Sequence, residues 1–418
     1  MFSKINSDQN IFISIVLGII FTTIIALLIY KQIIYPTIIP MVNNRVLSLF
    51  ADWTVILNAN ICLEKGFDVF LENPCDQWKR KHVYGDILLH IPYIKTFPKF
   101  YFLYFPILFG FLFLTIISNF LFVLSDKKYW VVSLCFVFSV PTILVIERSN
   151  IDLLIFLILF LVSKNYSLIL NYLLIILSTI TKFYPIVFTA IFFFNKKIFL
   201  KILILISISF LILFLQKESL IKIFENQSQF SASGIYSFSL ISFLKIFSIF
   251  KISFGNHDYT WLKYFYLLIF VIFPIFLLNF KNYPNVKSFT SNMTFDETST
   301  FQQRFFILSS IVISFCYLVF TNFVYREIFF LGLIPYLLNN KSINNNFFSK
   351  FLYFFLVLKF LLTTIFIIIF QNDFFEILNP FLILFKHTID VCLMSLILNI
   401  IIFTSLQFMK NKLSQVPQ

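Results

Sequence analysis

Apolar runs long enough to cross a lipid bilayer recur from one end of this chain to the other, and nothing else in the sequence limits its fold so strongly. A spanning helix needs roughly 17–25 apolar residues, fewer where buried protein covers an end. About twelve segments meet that criterion: Ile11–Tyr30, Tyr101–Leu124, Tyr129–Ile146, Ile151–Val162, Leu168–Ile180, Ile186–Phe194, Phe199–Leu215, Leu262–Phe280, Phe305–Phe320, Ile328–Leu338, Phe351–Phe370 and Thr388–Phe408. Charged residues make up 12% of the 418, against about 25% in soluble domains. The expected fold is an all-α polytopic membrane protein, a single integral membrane domain over residues 1–418. Ile11–Tyr30 lacks a small-residue cleavage site and reads as a retained span.

Orientation follows from the lysines. Alternate connections carry Lys4, Asp126-Lys127-Lys128, Lys164, Lys196-Lys197, Lys281 with Lys287 and Arg304, Lys341 with Lys350, and Lys410 with Lys412. Short, Lys-rich connections stay in the cytoplasm, which accounts for the net charge of +13 without any basic block or nucleic-acid motif. Membrane lipids are expected as neighbours and nucleic acid is not. The other connections are then outer: the first loop, 31–100; Glu147–Asp152; Thr181-Lys182-Phe183-Tyr184-Pro185; the second loop, 216–261; Tyr325-Arg326-Glu327; and 371–386. The spans that meet these clusters are the short ones, so the clusters are expected to dip below the surface and line a shared cavity.

In the first loop Val46, Leu49, Phe50, Trp53 and Leu57 recur at helical spacing, with Arg45, Ser48 and Asp52 on a separate stripe. That pattern predicts an amphipathic interfacial helix. Asn73–Gly85 is turn-rich, and Ile87–Pro98 reads as a short interfacial helix. In the second loop Tyr236–Phe250 is expected to lie on the membrane, and Asn282–Gln303 reads as a polar cytoplasmic connection. Cys62 and Cys75 share the first loop, either as a disulfide or as two thiols; Cys135, Cys316 and Cys392 read as packing residues. His82, His90, His257 and His387 form no metal-binding spacing, so neither a metal nor a cofactor is expected.

Several residues can carry chemistry. Asp52, on a helix near a membrane cavity, is placed to take a proton from a hydroxyl; taken by itself it fits an ordinary solvated acid better. Glu147, Arg148, Ser149, Asn150 and Asp152 put three charges between two apolar runs, which is costly unless they are paired or functional. Arg148 and Asp152 fit an i,i+4 pair, or Arg148 holds an anion with its planar fork while Glu147 or Asp152 orients it. Ser149 and Asn150 make a reasonable N-cap for the next helix. Lys182 either snorkels to headgroups or holds the same anion, and Arg326 has the same ambiguity. Two of the five arginines, Arg148 and Arg326, stand at outer span ends. Lys359 reads as the one charge well inside a span, with a head that snorkels outward.

A first span, a large outer loop bearing Asp52-Trp53, and then many spans resembles the GT-C fold of polyprenyl-phosphate-dependent glycosyltransferases, and more narrowly the alpha-mannosyltransferase-like glycosyltransferase family 87. The matching pieces are Asp52-Trp53 with Glu64-Lys65-Gly66, Asn73-Pro74-Cys75-Asp76 through Tyr84-Gly85, Glu147–Asp152, Thr181–Pro185, and Tyr325-Arg326-Glu327 with Pro335. They run in order over residues 10–340; the family more commonly has Gly where Ser149 stands. The resemblance implies an inverting transfer of mannose, or another hexose or pentose, from a polyprenyl-phosphate-sugar donor. The acceptor is a glycan or glycolipid on the outer face of the plasma membrane. It implies Asp52 as general base, with Glu147, Arg148, Asn150, Asp152, Lys182, Tyr184, Tyr325 and Arg326 around the donor. Competing readings are an O-antigen polymerase or ligase, whose large outer loop usually comes late in the chain, and a lipid or solute transporter. A transporter predicts internal repeats and ionisable residues at mid-membrane.

Overall fold

The computed structural model describes residues 2–30, 49–165, 167–194, 198–227, 235–240, 289, 293, 299–319, 322–339, 346–370 and 379–413. The predicted span Leu262–Phe280, the loop residues Arg45, Val46 and Ser48, most of Tyr236–Phe250 and of Asn282–Gln303, and His257 lie outside them. The described residues are overwhelmingly helical and include no extended strand, only an isolated antiparallel bridge between Ser237 and Phe323. Five helical stretches are long and apolar enough to cross a membrane: Gln9–Ile29, Phe100–Val123, Phe301–Val319, Phe347–Phe370 and Phe381–Leu406. A sixth arises if the bent pair Lys127–Val137 and Val140–Glu147 forms one span. Over the described residues the protein is thus all-α, with several apolar helices of membrane-spanning length.

The chain divides into two compact units. The first comprises Met1–Val123, Thr142–Phe192 and Lys197–Ser231; the second comprises Leu124–Pro141, Phe193–Lys196 and Ala232–Gln418.

In the first unit α1 (Phe2–Tyr30) packs on α3 (Phe105–Ser118), with α2 (Ala51–Glu64) between them in sequence. The approach is close at Gly18, where a Cβ would lie 2.2 Å from Thr115 Oγ1, and Asn119 Nδ2 donates to Ser14 Oγ at 2.9 Å. The α2 helix is not the amphipathic surface helix expected. It begins at Ala51, after Phe50 turns left-handed at φ 59, and Asp52, Trp53, Ile56, Leu57 and Asn60 are all buried. Trp53 explains much of this, because its Nε1 donates to the Tyr101 carbonyl at 2.9 Å while its ring packs on Phe105 and Phe109. Cys62 and Cys75 are disulfide-bonded. The expected helix over 87–98 is instead one 3-10 turn, Asp86–Leu89, because Asn60 engages the Leu88 carbonyl and the Ile91 amide across the gap.

The rest of the unit is short helices: α6 (Asp152–Lys164), α7 (Leu168–Thr181), a 3-10 segment Tyr184–Phe194, α8 (Ile198–Leu215) and α9 (Lys217–Gln227). Ahead of them in sequence, the predicted span Tyr129–Ile146 is broken into two helices, α4 (Trp130–Val137), which belongs to the second unit, and α5 (Val140–Glu147).

The second unit holds α10 (Phe301–Val319), a 3-10 segment Val324–Leu333, α11 (Ile334–Asn339), α12 (Phe347–Phe370) and α13 (Asn379–Leu413). Arg304, expected in an inner connection, is a buried residue of α10. Gly332 allows the 3-10 segment to touch α10, since a Cβ there would meet Ser309 Oγ at 1.9 Å. Lys359 does not snorkel. It is buried within α12 and pairs with Glu327 at 2.7 Å and with Asp390 of α13 at 2.6 Å. Lys386 closes the group, reaching Asp390 at 2.9 Å and Glu327 at 3.5 Å, with Nζ also on the Ser237 carbonyl at 2.6 Å.

Candidate functional site

The residues with chemical promise in the first unit come together at the N-terminus of α2. An α-helix begins with amides that lack intrahelical partners. Here they are met by backbone carbonyls: Phe50 N donates to Glu147 O at 2.9 Å, and Asp52 N and Trp53 N both donate to Arg148 O, at 3.1 and 3.3 Å. Two stretches nearly a hundred residues apart are therefore stitched together through their main chains. The carboxylate of Asp52 then lies directly on the turn, with Oδ2 accepting from Asn150 Nδ2 at 2.7 Å and Oδ1 from Arg148 Nη1 at 3.4 Å. Asp52 and Glu147–Asp152 form one bonded unit, not two walls facing each other.

The turn has this shape because of how α5 ends. Ser149 N donates to Ile146 O at 3.0 Å and Asn150 N to Val145 O at 3.1 Å, with Ser149 left-handed at φ 44. This is a Schellman ending, whose left-handed position favours glycine. Ser149 therefore terminates α5 and does not cap α6, and the reversal of the chain takes Arg148 and Asp152 off a common helix face. The expected Arg148–Asp152 pairing is replaced: Arg148 turns to Asp52, and Asp152 accepts from Lys182 Nζ at 2.5 Å and from Tyr184 Oη at 2.7 Å. Asn150 supplies the entry to α6 through Oδ1, which accepts from Asp152 N at 3.0 Å. A non-glycine residue in the left-handed region costs about 1–2 kcal/mol, and the buried Ser149 Oγ has no hydrogen-bond partner. Ser149→Gly is therefore expected to raise stability by about 1 kcal/mol, measured by thermal unfolding; a lower melting temperature would contradict this local geometry.

Lys182 follows the end of α7, its amide on Ser178 O at 3.0 Å. Its Nζ sits 5.4 and 5.7 Å from the ring centroids of Tyr84 and Tyr184, at a range where an aromatic face attracts a cation. Tyr84 reaches it because Gly85 lies against α7: Gly85 N donates to Thr181 O at 3.0 Å, and a Cβ on Gly85 would lie 1.8 Å from Ile180 O. Only glycine fits there. Behind Tyr84, His82 is fully buried, edge-on to Phe70 at 5.3 Å and Tyr84 at 5.7 Å. Burial pushes its pKa down to about 4, against opposing contacts to the backbone of Gly85 and Tyr84. The unfolded chain takes up this proton near pH 6.5 and the folded loop only near pH 4. His82 therefore costs nothing above about pH 6.5 and destabilises as pH falls, by roughly 3 kcal/mol in all. Between pH 6.5 and 4 the melting temperature of the wild type is expected to fall faster than that of His82→Phe; parallel curves would contradict the burial argument.

Of the residues singled out in the sequence, Asp52, Glu147, Arg148, Asn150, Asp152, Lys182 and Tyr184 belong to the first unit, and all but Glu147 are joined by side-chain hydrogen bonds to Asp52, Asn150 or Asp152. Glu147, fully buried, joins through its carbonyl. Tyr325 and Arg326 belong to the second unit, where the Tyr325 ring stacks on Phe323 at 5.6 Å. Two participants are given no role by the sequence reading, although both lie in the Asn73–Gly85 segment that carries part of the resemblance. Arg80 Nη1 reaches Asp52 Oδ1 at 3.3 Å, and Asp76 holds Arg80. Among the described residues no three His, Cys, Asp or Glu side chains group in a way that could hold a metal ion. No protein-family model, no curated protein and no solved structure matches this chain.

Proposed function

We propose that this protein is a membrane glycosyltransferase of GT-C type. It moves a sugar, mannose or another hexose or pentose, from a polyprenyl-phosphate donor to a lipid-linked or envelope glycan acceptor on the outer face of the membrane. The observation that carries the reading is the Asp52 carboxylate bonded to Asn150 at 2.7 Å and flanked by Arg148, with the Lys182–Asp152 pair on the same turn. A displacement whose leaving group is a phosphate needs one base and cations to stabilise the departing charge, not a strong acid. In that reaction the acceptor hydroxyl passes its proton to Asp52 and its oxygen bonds the sugar C1. The bond from C1 to phosphate oxygen breaks with inversion, and polyprenyl phosphate leaves against Arg148 and Lys182. A carboxylate offers about four lone-pair positions. Those of Asp52 taken up are one by Asn150, one by Arg148 and one by Arg80, which leaves a position for the hydroxyl.

The Cys62–Cys75 disulfide supports placing the first loop in an oxidising compartment, on the side opposite the lysine-rich connections. Arg148→Ala is expected to lower kcat/KM for the lipid donor by about 10- to 100-fold, the loss of a charge-assisted hydrogen bond to phosphate. Unchanged donor kinetics would return Arg148 to a purely structural role. One observation favours the transporter reading: the second unit buries Glu327, Lys359, Lys386 and Asp390 together. Opposite charges in that group contact one another throughout, which suits a helix lock better than an ion path. Proton-coupled solute uptake into proteoliposomes that is lost in Glu327→Gln would decide for transport.

A further inference from the structure

Arg80 is held in place more thoroughly than a surface ion pair requires. Its Nε donates to Asp76 Oδ2 at 3.1 Å and its Nη2 to Asp76 Oδ1 at 3.1 Å, a two-pronged grip. Asp76 is itself fixed, because Oδ2 also accepts from the amides of Trp78 and Arg80 at 3.1 and 3.0 Å. The second Nη2 hydrogen goes to the Ala51 carbonyl at 2.6 Å, the indole of Trp78 lies 4.5 Å from the guanidinium carbon, and Asn73 Nδ2 holds the Arg80 carbonyl at 3.0 Å. At the base of this arm the Cys62–Cys75 disulfide ties the residue before Asp76 to α2, the helix that carries Asp52. These contacts use every N–H of the guanidinium except those on Nη1, which meets Asp52 Oδ1 at 3.3 Å with one hydrogen to spare. Arg148 also presents its Nη1 to that oxygen, at 3.4 Å. The Arg80 side chain keeps 22% of its surface exposed while that of Asp76 keeps 1%.

Two guanidinium edges thus converge on one anionic oxygen, and one of them is locked in advance. An arginine fixed before its ligand arrives loses little side-chain entropy on binding, and its planar fork matches the oxygens of a phosphate. We propose that Arg80 is a phosphate-binding residue: its Nη1 and that of Arg148 straddle a phosphate ester, and Asp76 and the disulfide hold Arg80 for that contact. This rests on the polyprenyl-phosphate reading of the same site.

The test is binding of polyprenyl phosphate, without sugar, to the full-length protein in nanodiscs, with inorganic phosphate as a second ligand. Arg80→Gln is expected to weaken polyprenyl phosphate about tenfold or more, and Arg80→Lys by a smaller factor because charge remains but the fork does not. Loss of the fork's effect on inorganic phosphate as well would assign the contact to phosphate from either source; an effect confined to the lipid would assign it to a membrane-borne phosphate. The loop's integrity is read from Cys62 and Cys75, whose disulfide should be opened by a mild reductant, and the freed thiols captured by maleimide, no faster in any variant than in the wild type. If Arg80→Gln exposes them, Arg80→Lys becomes the deciding comparison. Wild-type affinity in the deciding variant, with Arg148→Ala weakened, overturns the role of Arg80 alone. A wild type that binds neither ligand overturns the polyprenyl-phosphate reading and this inference together.

Discussion

Asp52→Asn is expected to reduce sugar transfer by about 10²- to 10⁴-fold, the usual contribution of a positioned base, while the protein still folds and inserts. The amide can keep an oxygen toward Arg80 and Arg148, but it then turns a donor toward Asn150 Nδ2, whose own amide oxygen is already taken by Asp152 N and Lys182. One hydrogen bond and the charge of the ion pairs with Arg80 and Arg148 are lost, a cost of about 1–3 kcal/mol, below the stability of an ordinary folded domain. The measurement is transfer rate alongside melting temperature. A large loss of rate with a small thermal shift fits a base. A small loss of rate with a large thermal shift would make Asp52 a structural hub, and full activity would remove it from the chemistry altogether.

Lys359→Ala is expected to destabilise the second unit by about 3–5 kcal/mol, because it strands buried carboxylates that the lysine neutralises. Glu327 and Asp390 both have fully buried side chains, and Lys386 would be the lysine left to face the two of them, with His387 Nδ1 3.7 Å from Asp390. Pairing the change with Glu327→Gln, as Lys359→Ala/Glu327→Gln, leaves Lys386 and Asp390 as a matched pair at 2.9 Å. The double variant should therefore recover much of the loss, and a thermal-unfolding cycle over the four proteins measures the coupling. If Lys359→Ala melts with the wild type, the buried network does not lock these helices.

Apolar length alone identifies α1, α3, α10, α12 and α13, because a run of that hydropathy has few other homes, although α1 and α13 begin nine residues ahead of the runs Ile11–Tyr30 and Thr388–Phe408. The charged clusters that interrupt such runs also lead to the site, since Asp52, Arg148, Asn150, Asp152 and Lys182 do meet. What sequence pattern cannot show is direction. Phe50 and Ser149, both left-handed, reverse the chain just where a helical reading continues it, so the start of α2 and the partners of Arg148 and Asp152 come out differently. Arg80 stands between Lys79 and Lys81, and nothing in that run marks which cation faces inward; Lys79 at φ 55 sets the turn that does so. Of the buried network of the second unit the sequence marks only Lys359 as lying inside a span, and as a head that snorkels outward; Lys386 falls at the end of the outer connection 371–386 in that reading, and Glu327 and Lys359 meet only through tertiary packing.

We propose that this chain consumes a polyprenyl-phosphate sugar. The most direct measurement incubates the purified protein in liposomes with polyprenyl-phosphate-linked hexoses and pentoses and a glycolipid acceptor, and follows the lipids by mass spectrometry. Free polyprenyl phosphate and a glycosylated acceptor formed in equal amounts by the wild type, and not by Asp52→Asn, is the predicted result. No donor consumed by the wild type, or equal turnover by the two proteins, would contradict it.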